Sequence, residues 1–226
     1  MFEEYQKGIP AAWVILATYV VGLATVALCA GTFVNPWLWV FLAIHAAFPA
    51  VYSLMLKGSH PQVFARNWST DFEKPHVCRC LIPACVLAVA AAAVSALDVY
   101  RFAWSPLPIA FSVLGVGIAI AAYMLAVQSL MAIPPHAQEH YGEERGTAEQ
   151  YGPYSVLRHP LAVAACLMGI SVPLMIGSLV GLIPVAGMIV LLVIYTNSED
   201  NWRFANYDWY FDYMKTVAYR MIPMIW

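Results

Sequence analysis

The sequence predicts an all-α membrane protein: a polytopic bundle of five to six transmembrane helices with a C-terminal helical hairpin and an interfacial tail helix. Three observations predict it. Of 226 residues, 62% are hydrophobic and only 11% are charged, whereas a soluble domain carries about 25% charged residues. The charges are also clustered, with no Asp, Glu, Lys or Arg between Lys7 and Lys57, Arg79 and Asp98, Arg101 and Glu139, or Arg158 and Glu199. Each gap holds one or two runs near the roughly 20 apolar residues that cross a hydrocarbon core ~30 Å thick. A charge at the centre of such a helix costs roughly 2.5–3.5 kcal/mol on insertion scales, which gives the gaps a physical cause.

Spans are expected near 12–32, 37–57, 80–97, 106–132, 162–177 and 180–197. Asn35-Pro36 supplies the first tight turn, because proline lacks a backbone donor and pre-sets a turn dihedral. Pro173, Gly177, Gly181, Pro184 and Gly187 interrupt the last pair. A short helical hairpin that stops short of a full crossing is the alternative there, provided that it packs against protein. The whole chain reads as one membrane domain over 1–226. Residues 1–132 hold the N-terminal spans, and 133–226 hold a polar loop, the hairpin and the tail.

Six crossings put both termini and the segments 58–79 and 133–161 on one side. Ten of the eleven Lys and Arg residues then share that side, with Arg101 alone opposite. The positive-inside rule makes the side cytoplasmic, so an integral, multi-pass protein with both termini cytoplasmic is expected. The acidic residues follow, Asp98 being the one exception among thirteen. Nearly all the polar chemistry is therefore expected at one face. A net charge of −2 excludes a nucleic-acid partner on electrostatic grounds. The first apolar run is too long for a cleavable leader and lacks a basic segment before it, so no signal peptide is expected. Cys29, Cys78, Cys80, Cys85 and Cys166 fall in spans or at the reducing face, which favours plain thiols over a disulfide framework.

Several polar residues compete for a functional role. His45 lies inside the second span, where one hydrogen bond to a neighbouring helix would satisfy it. His136-Ala137-Gln138-Glu139-His140 matches a zinc-protease pattern, but no third ligand accompanies it, and no metal is expected. Glu139, Glu143, Glu144 and Glu149 read as a solvated acidic face with Arg145. The tail from Ser198 carries Trp202, Phe204, Tyr207, Trp209, Tyr210, Phe211 and Tyr213, a composition suited to a helix at the headgroup level.

The strongest constellation joins Gly152-Pro153-Tyr154 and Arg158-His159-Pro160 to Glu199-Asp200. The hairpin leaves the polar face after Pro160 and returns to it at Glu199. Tyr154, Arg158, His159, Glu199 and Asp200 are therefore expected to converge at one mouth of the bundle. A snorkelling Arg158 that pairs with Glu199 merely to pin the hairpin is the plain alternative.

Gly-x-Tyr-x-x-x-Arg-His-Pro, an apolar hairpin, an acidic pair, an aromatic tail with Tyr210 and Tyr213, and Ile222-Pro223 resemble the isoprenylcysteine carboxyl methyltransferase family. Related phospholipid methyltransferases share this half. The resemblance covers about 150–226; the first 130 residues match only in being helical spans. It implies S-adenosylmethionine bound at the cytosolic face and a lipophilic acceptor that arrives from the bilayer. Carried over by position, Tyr154, His159, Pro160 and Glu199 are cofactor-binding, with Arg158 in the same motif. Arg158 and Asp200 are the expected catalytic pair, Asp200 as base for an amine acceptor. The family's acidic pair maps on Ser198-Glu199 by spacing and on Glu199-Asp200 by chemistry. Its tyrosine two residues after the motif proline is Ala162 here. Its substrate-binding arginine before the acidic pair is absent from Val193-Ile194-Tyr195, which argues against prenylcysteine itself.

The function expected is methyl transfer from S-adenosylmethionine to a lipophilic or small thiol, carboxylate or amine. Membrane lipids are the other partner implied. Two rivals stand beside it: an NADPH-dependent reductase of the sterol reductase type, which also carries Arg-His-Pro, and a non-catalytic membrane protein that retains the fold.

Overall fold

A computed structural model describes residues 11–31, 35–59, 75–132 and 152–223. The helices are α1 (Ala11–Ala30), α2 (Pro36–Ser59), α3 (Pro75–Leu97), α4 (Ile109–Met131), α5 (Pro160–Ile176), α6 (Leu182–Asn206) and α7 (Asp208–Thr216). A π-helical turn, Asp98–Phe102, extends α3, and a short 3-10 turn, Gly152–Ser155, precedes α5. Among the described residues every regular element is helical. Among the described residues four stretches are long and apolar enough to cross a membrane: Pro36–Met55, Arg79–Phe102, Ile109–Met131 and Leu182–Asn206. Pro160–Ile176 is apolar but shorter. Leucines at 28 and 54 and Ile183 stand on the outer surface more than two-thirds exposed, as a lipid-facing surface requires.

The helix limits depart from the sequence reading at four places, each with a local cause. Alpha-3 starts at Pro75, five residues before the expected limit, because proline suits a first helical turn whose donor is unpaired anyway. Alpha-4 starts at Ile109, because Pro106 and Pro108 push the residues before them out of the helical region and Pro108 is itself extended, with ψ of 148°. Alpha-5 has 17 residues and so spans about 25 Å, less than the ~30 Å hydrocarbon core. It ends at Gly177, whose φ of 90° closes a left-handed cap with its N–H on Pro173 and Leu174 carbonyls. Alpha-6 runs 25 residues to Asn206, so Ser198-Glu199-Asp200 lies within this helix and does not open the tail.

Small residues let the helices approach closely. A Cβ on Gly115 of α4 would sit 2.6 Å from the Met175 backbone nitrogen of α5. Ser112, Ala119 and Ala122 bury the same face of α4, a stripe of the kind that drives helix association where no water remains to be expelled. Alpha-3 and α6 meet through Ala84, Ala91, Val185, Met188 and Leu192. Val26, Leu38, Phe41, Ala96, Ala119 and Met175 join α1, α2, α3, α4 and α5 in a second core.

One end of the bundle is sewn by Asp98. Its fully buried carboxylate accepts from the Ser105 N–H at 2.8 Å and from the Ser105 and Ser178 hydroxyls, each at 2.6 Å. Ser105 Oγ in turn accepts from the Val180 N–H at 3.0 Å. The α3–α4 and α5–α6 turns are thereby locked together, and the lone acidic exception of the charge pattern has a structural task. Arg101 lies at the same end, donating to the Cys29 carbonyl of α1 at 3.2 Å. The other charged residues described below gather at the opposite end.

Candidate functional site

Gly152, with φ of 58°, starts the turn that leads into Leu157-Arg158-His159. This short extended stretch pairs with the C-terminal chain. The Arg158 and His159 N–H groups donate to the Tyr219 and Arg220 carbonyls at 2.9 and 3.0 Å, and Leu157 and Tyr219 form a parallel bridge. The motif is therefore held by the last residues of the chain before Pro160 starts α5. Tyr213 adds a clamp from α7, its hydroxyl donating to the Tyr154 carbonyl at 3.0 Å.

Asp200 is the hub. Its side chain is fully buried, and its two oxygens accept from four side chains. Oδ1 takes His159 Nε2 at 2.6 Å and the Tyr210 hydroxyl. Oδ2 takes Arg158 at 2.8 Å and Arg220 Nε at 2.7 Å. Four donors fill the roughly four lone-pair positions a carboxylate offers. Asp200 thus organises the site, and a base role would require one of the donors to leave. Arg158 places a second nitrogen 3.1 Å from the Ala218 carbonyl, while its buried Nε has no partner among the described residues. Burial pushes the His159 imidazole below its ordinary range, and the Asp200 hydrogen bond and charge oppose that shift. With two guanidiniums already on Asp200, a third cation would be unbalanced, so the ring is best read as neutral, donating through Nε2.

Glu199 faces another neighbour. Consecutive helix positions diverge by about 100°, so the two carboxylates bind different elements. Glu199 is nearly fully buried, and accepts from His76 Nε2 at 2.6 Å and from Arg203 Nε at 2.8 Å. His76 opens α3, so this contact ties the first half of the chain to the site. The His76 ring lies 5.9 Å from that of Tyr195 and 6.5 Å from that of Trp202.

Arg158, His159 and Asp200 meet directly, Pro160 is buried beside them, and Tyr154 is joined through Tyr213. Arg158 pairs with Asp200, so the pin that sequence reasoning drew from Arg158 to Glu199 belongs to the next residue. Tyr210 and Tyr213 turn inward, 0% and 2% exposed, and form a small core with Val217; this half of the aromatic tail anchors the site and does not lie against headgroups. Ala162 is buried where the resembled family has tyrosine. His45 donates from Nδ1 to the Phe41 carbonyl of its own helix at 3.0 Å, not to a neighbouring helix. Residues 136–149, with the His136–His140 string, Glu139, Glu143, Glu144, Arg145 and Glu149, lie outside the described residues.

Three members of the site escaped sequence reasoning. Arg203 was readable, being four residues after Glu199 on one helix. His76 had a weaker signal, its place in a loop on the same side as Glu199. Arg220 had none, because its approach depends on the chain reversal after α7. Beside the motif an apolar groove of about 640 Å³ opens between α4 and the loop before α5, lined by Leu125, Met131, Ala132, Pro153, Val156 and Leu157. No family model matches the chain, and no curated protein matches it in sequence.

Proposed function

We propose that this chain is an integral-membrane methyltransferase that uses S-adenosylmethionine at the cytosolic face, with both termini on that side. One observation carries the reading: Arg158-His159 and Asp200, 41 residues apart from His159 to Asp200, join in a buried hydrogen-bonded cluster at one mouth of the bundle. Such a buried polar network tolerates no half-satisfied member, and Arg158 Nε is left as an orphaned donor among the described residues. Three guanidiniums, Arg158, Arg203 and Arg220, surround two carboxylates, so the site has cationic charge to spare. That donor set fits the carboxylate end of an amino-acid-derived cofactor. The apolar groove beside it fits a hydrocarbon-bearing acceptor.

Tyr154, Arg158, His159, Pro160 and Glu199 would hold the cofactor, as the resemblance to isoprenylcysteine carboxyl methyltransferases implies. When bound, S-adenosylmethionine supplies a methyl group already activated by its sulfonium. The protein needs to align a nucleophile with that methyl and exclude water. Asp200 serves by fixing Arg158 and His159. The acceptor class is a lipophilic or small thiol, carboxylate or amine.

Calorimetric titration of the purified protein in detergent with S-adenosylmethionine, S-adenosylhomocysteine and NADPH tests the reading. Binding of the first two is expected, weakened about tenfold or more, at least ~1.4 kcal/mol, by His159→Ala. Binding of NADPH alone would replace the reading with a reductase, and binding of none with a non-catalytic membrane protein.

A further inference from the structure

We infer that His76, backed by Glu199, accepts the proton that the methyl acceptor releases, which makes that acceptor a protic nucleophile, a thiol or amine, and not a carboxylate. The inference rests on the methyltransferase reading and goes beyond it, because no residue of the sequence motif performs this step. Glu199 already accepts Arg203 on Oε1 at 2.8 Å, so it acts as an acceptor towards His76 as well. His76 Nε2 therefore carries the proton of the 2.6 Å hydrogen bond, and in the neutral ring Nδ1 keeps its lone pair. Nδ1 has no hydrogen-bond partner among the described residues.

A histidine serving only to pin α3 on α6 has no need of an open nitrogen. His76 keeps 13% of its side chain exposed, whereas His159 is buried. The rings of Tyr195 and Trp202 flank it, beside the Glu199–Arg203 ion pair. A carboxylate, ionised at neutral pH, has no proton to release and so no use for such a base.

The step balances without a further reagent. A lone pair of the acceptor sulfur or nitrogen forms the new bond to the methyl carbon as the methyl–sulfonium bond breaks, leaving a neutral thioether. The acceptor proton passes to His76 Nδ1, while the Nε2 proton stays on the hydrogen bond to Glu199. Water later removes the proton from the imidazolium.

The test uses the full-length protein in detergent at neutral pH, with diethyl pyrocarbonate as a probe of imidazole lone pairs and mass spectrometry to locate the label. His76 is expected to label readily and His159 not at all. Saturating S-adenosylhomocysteine should protect His76, and Glu199→Gln should slow its labelling several-fold, because the carboxylate fixes the tautomer that leaves Nδ1 open. A wild-type protein that binds S-adenosylhomocysteine calorimetrically, yet leaves His76 unlabelled or unprotected, overturns the inference alone. A protein that does not bind it overturns the methyltransferase reading, and this inference falls with it.

Discussion

At the residue scale the site depends on one carboxylate. Asp200 has four donors and no exposure, so Asp200→Ala would leave two guanidiniums and an imidazole without their acceptor. Removing one partner from a buried ionic cluster costs about 3–5 kcal/mol. A large fall in the thermal midpoint of the detergent-solubilised protein is expected, with Arg220→Ala, whose partner keeps three other donors, costing less. A midpoint unchanged by Asp200→Ala would show that the cluster does not hold this end of the fold. His159 adds a pH dependence. Because burial holds its imidazole below the ordinary value of 6.5, the unfolded chain takes up this proton before the folded one does. Its contribution is complete above about pH 6.5 and declines as pH falls towards the depressed folded value. Thermal melts from pH 7.5 down to 5 should show a steeper loss for wild type than for His159→Gln.

At the element scale, close helix contact makes a sharper claim than hydrophobicity does. Gly115 and Gly117 are two residues apart on α4, yet a Cβ at Gly115 would meet the Met175 backbone, whereas at Gly117 it would meet nothing within 4 Å. Gly115→Ala should cost about 1–3 kcal/mol as an overpacking change. Gly117→Ala should be neutral or slightly stabilising, since alanine is the better helix former. Equal effects in a matched unfolding series would contradict the α4–α5 packing. The Asp98 clasp invites a second comparison. Ser178→Ala removes one of three donors to a buried carboxylate and should destabilise by about 1–3 kcal/mol, read in the same series.

The same scale shows why the sequence was legible in part. Charge-free gaps located α2, α3, α4 and α6, because the cost of a charge in hydrocarbon acts on every residue of a span. The end of α6 was misplaced at Ser198 because Glu199 and Asp200 look like the limit of an apolar run. Both remain helical and buried because His76, Arg203, His159, Arg158, Tyr210 and Arg220 receive them. Hydropathy cannot register such partners. The inward turn of Tyr210 and Tyr213 was hidden for a related reason: in composition, a buried aromatic and an interfacial one are alike.

At the scale of the whole molecule, the two ends of the bundle have different work. The end with Asp98 uses serine hydroxyls and backbone donors to close two turns. The other gathers Arg158, His159, Glu199, Asp200, Arg203, Arg220 and His76 from four separate stretches of chain. The Arg-His-Pro motif announced that second end, and its convergence with Asp200 could be argued from a hairpin that returns to its starting face. The contribution of α3 through His76 could not, because it depends on which helices are neighbours. Asp200 meets the motif as a returning hairpin implies, and its lone pairs are all in use.

On the proposed reading the methyl donor sits against the Arg158-His159-Asp200 cluster. Ultraviolet photolabelling with tritiated S-adenosylmethionine, followed by peptide mapping, tests it most directly. Label is expected within 152–160 or 195–203 and should be abolished by excess S-adenosylhomocysteine. Label confined to other segments, or unaffected by that competitor, would contradict the account.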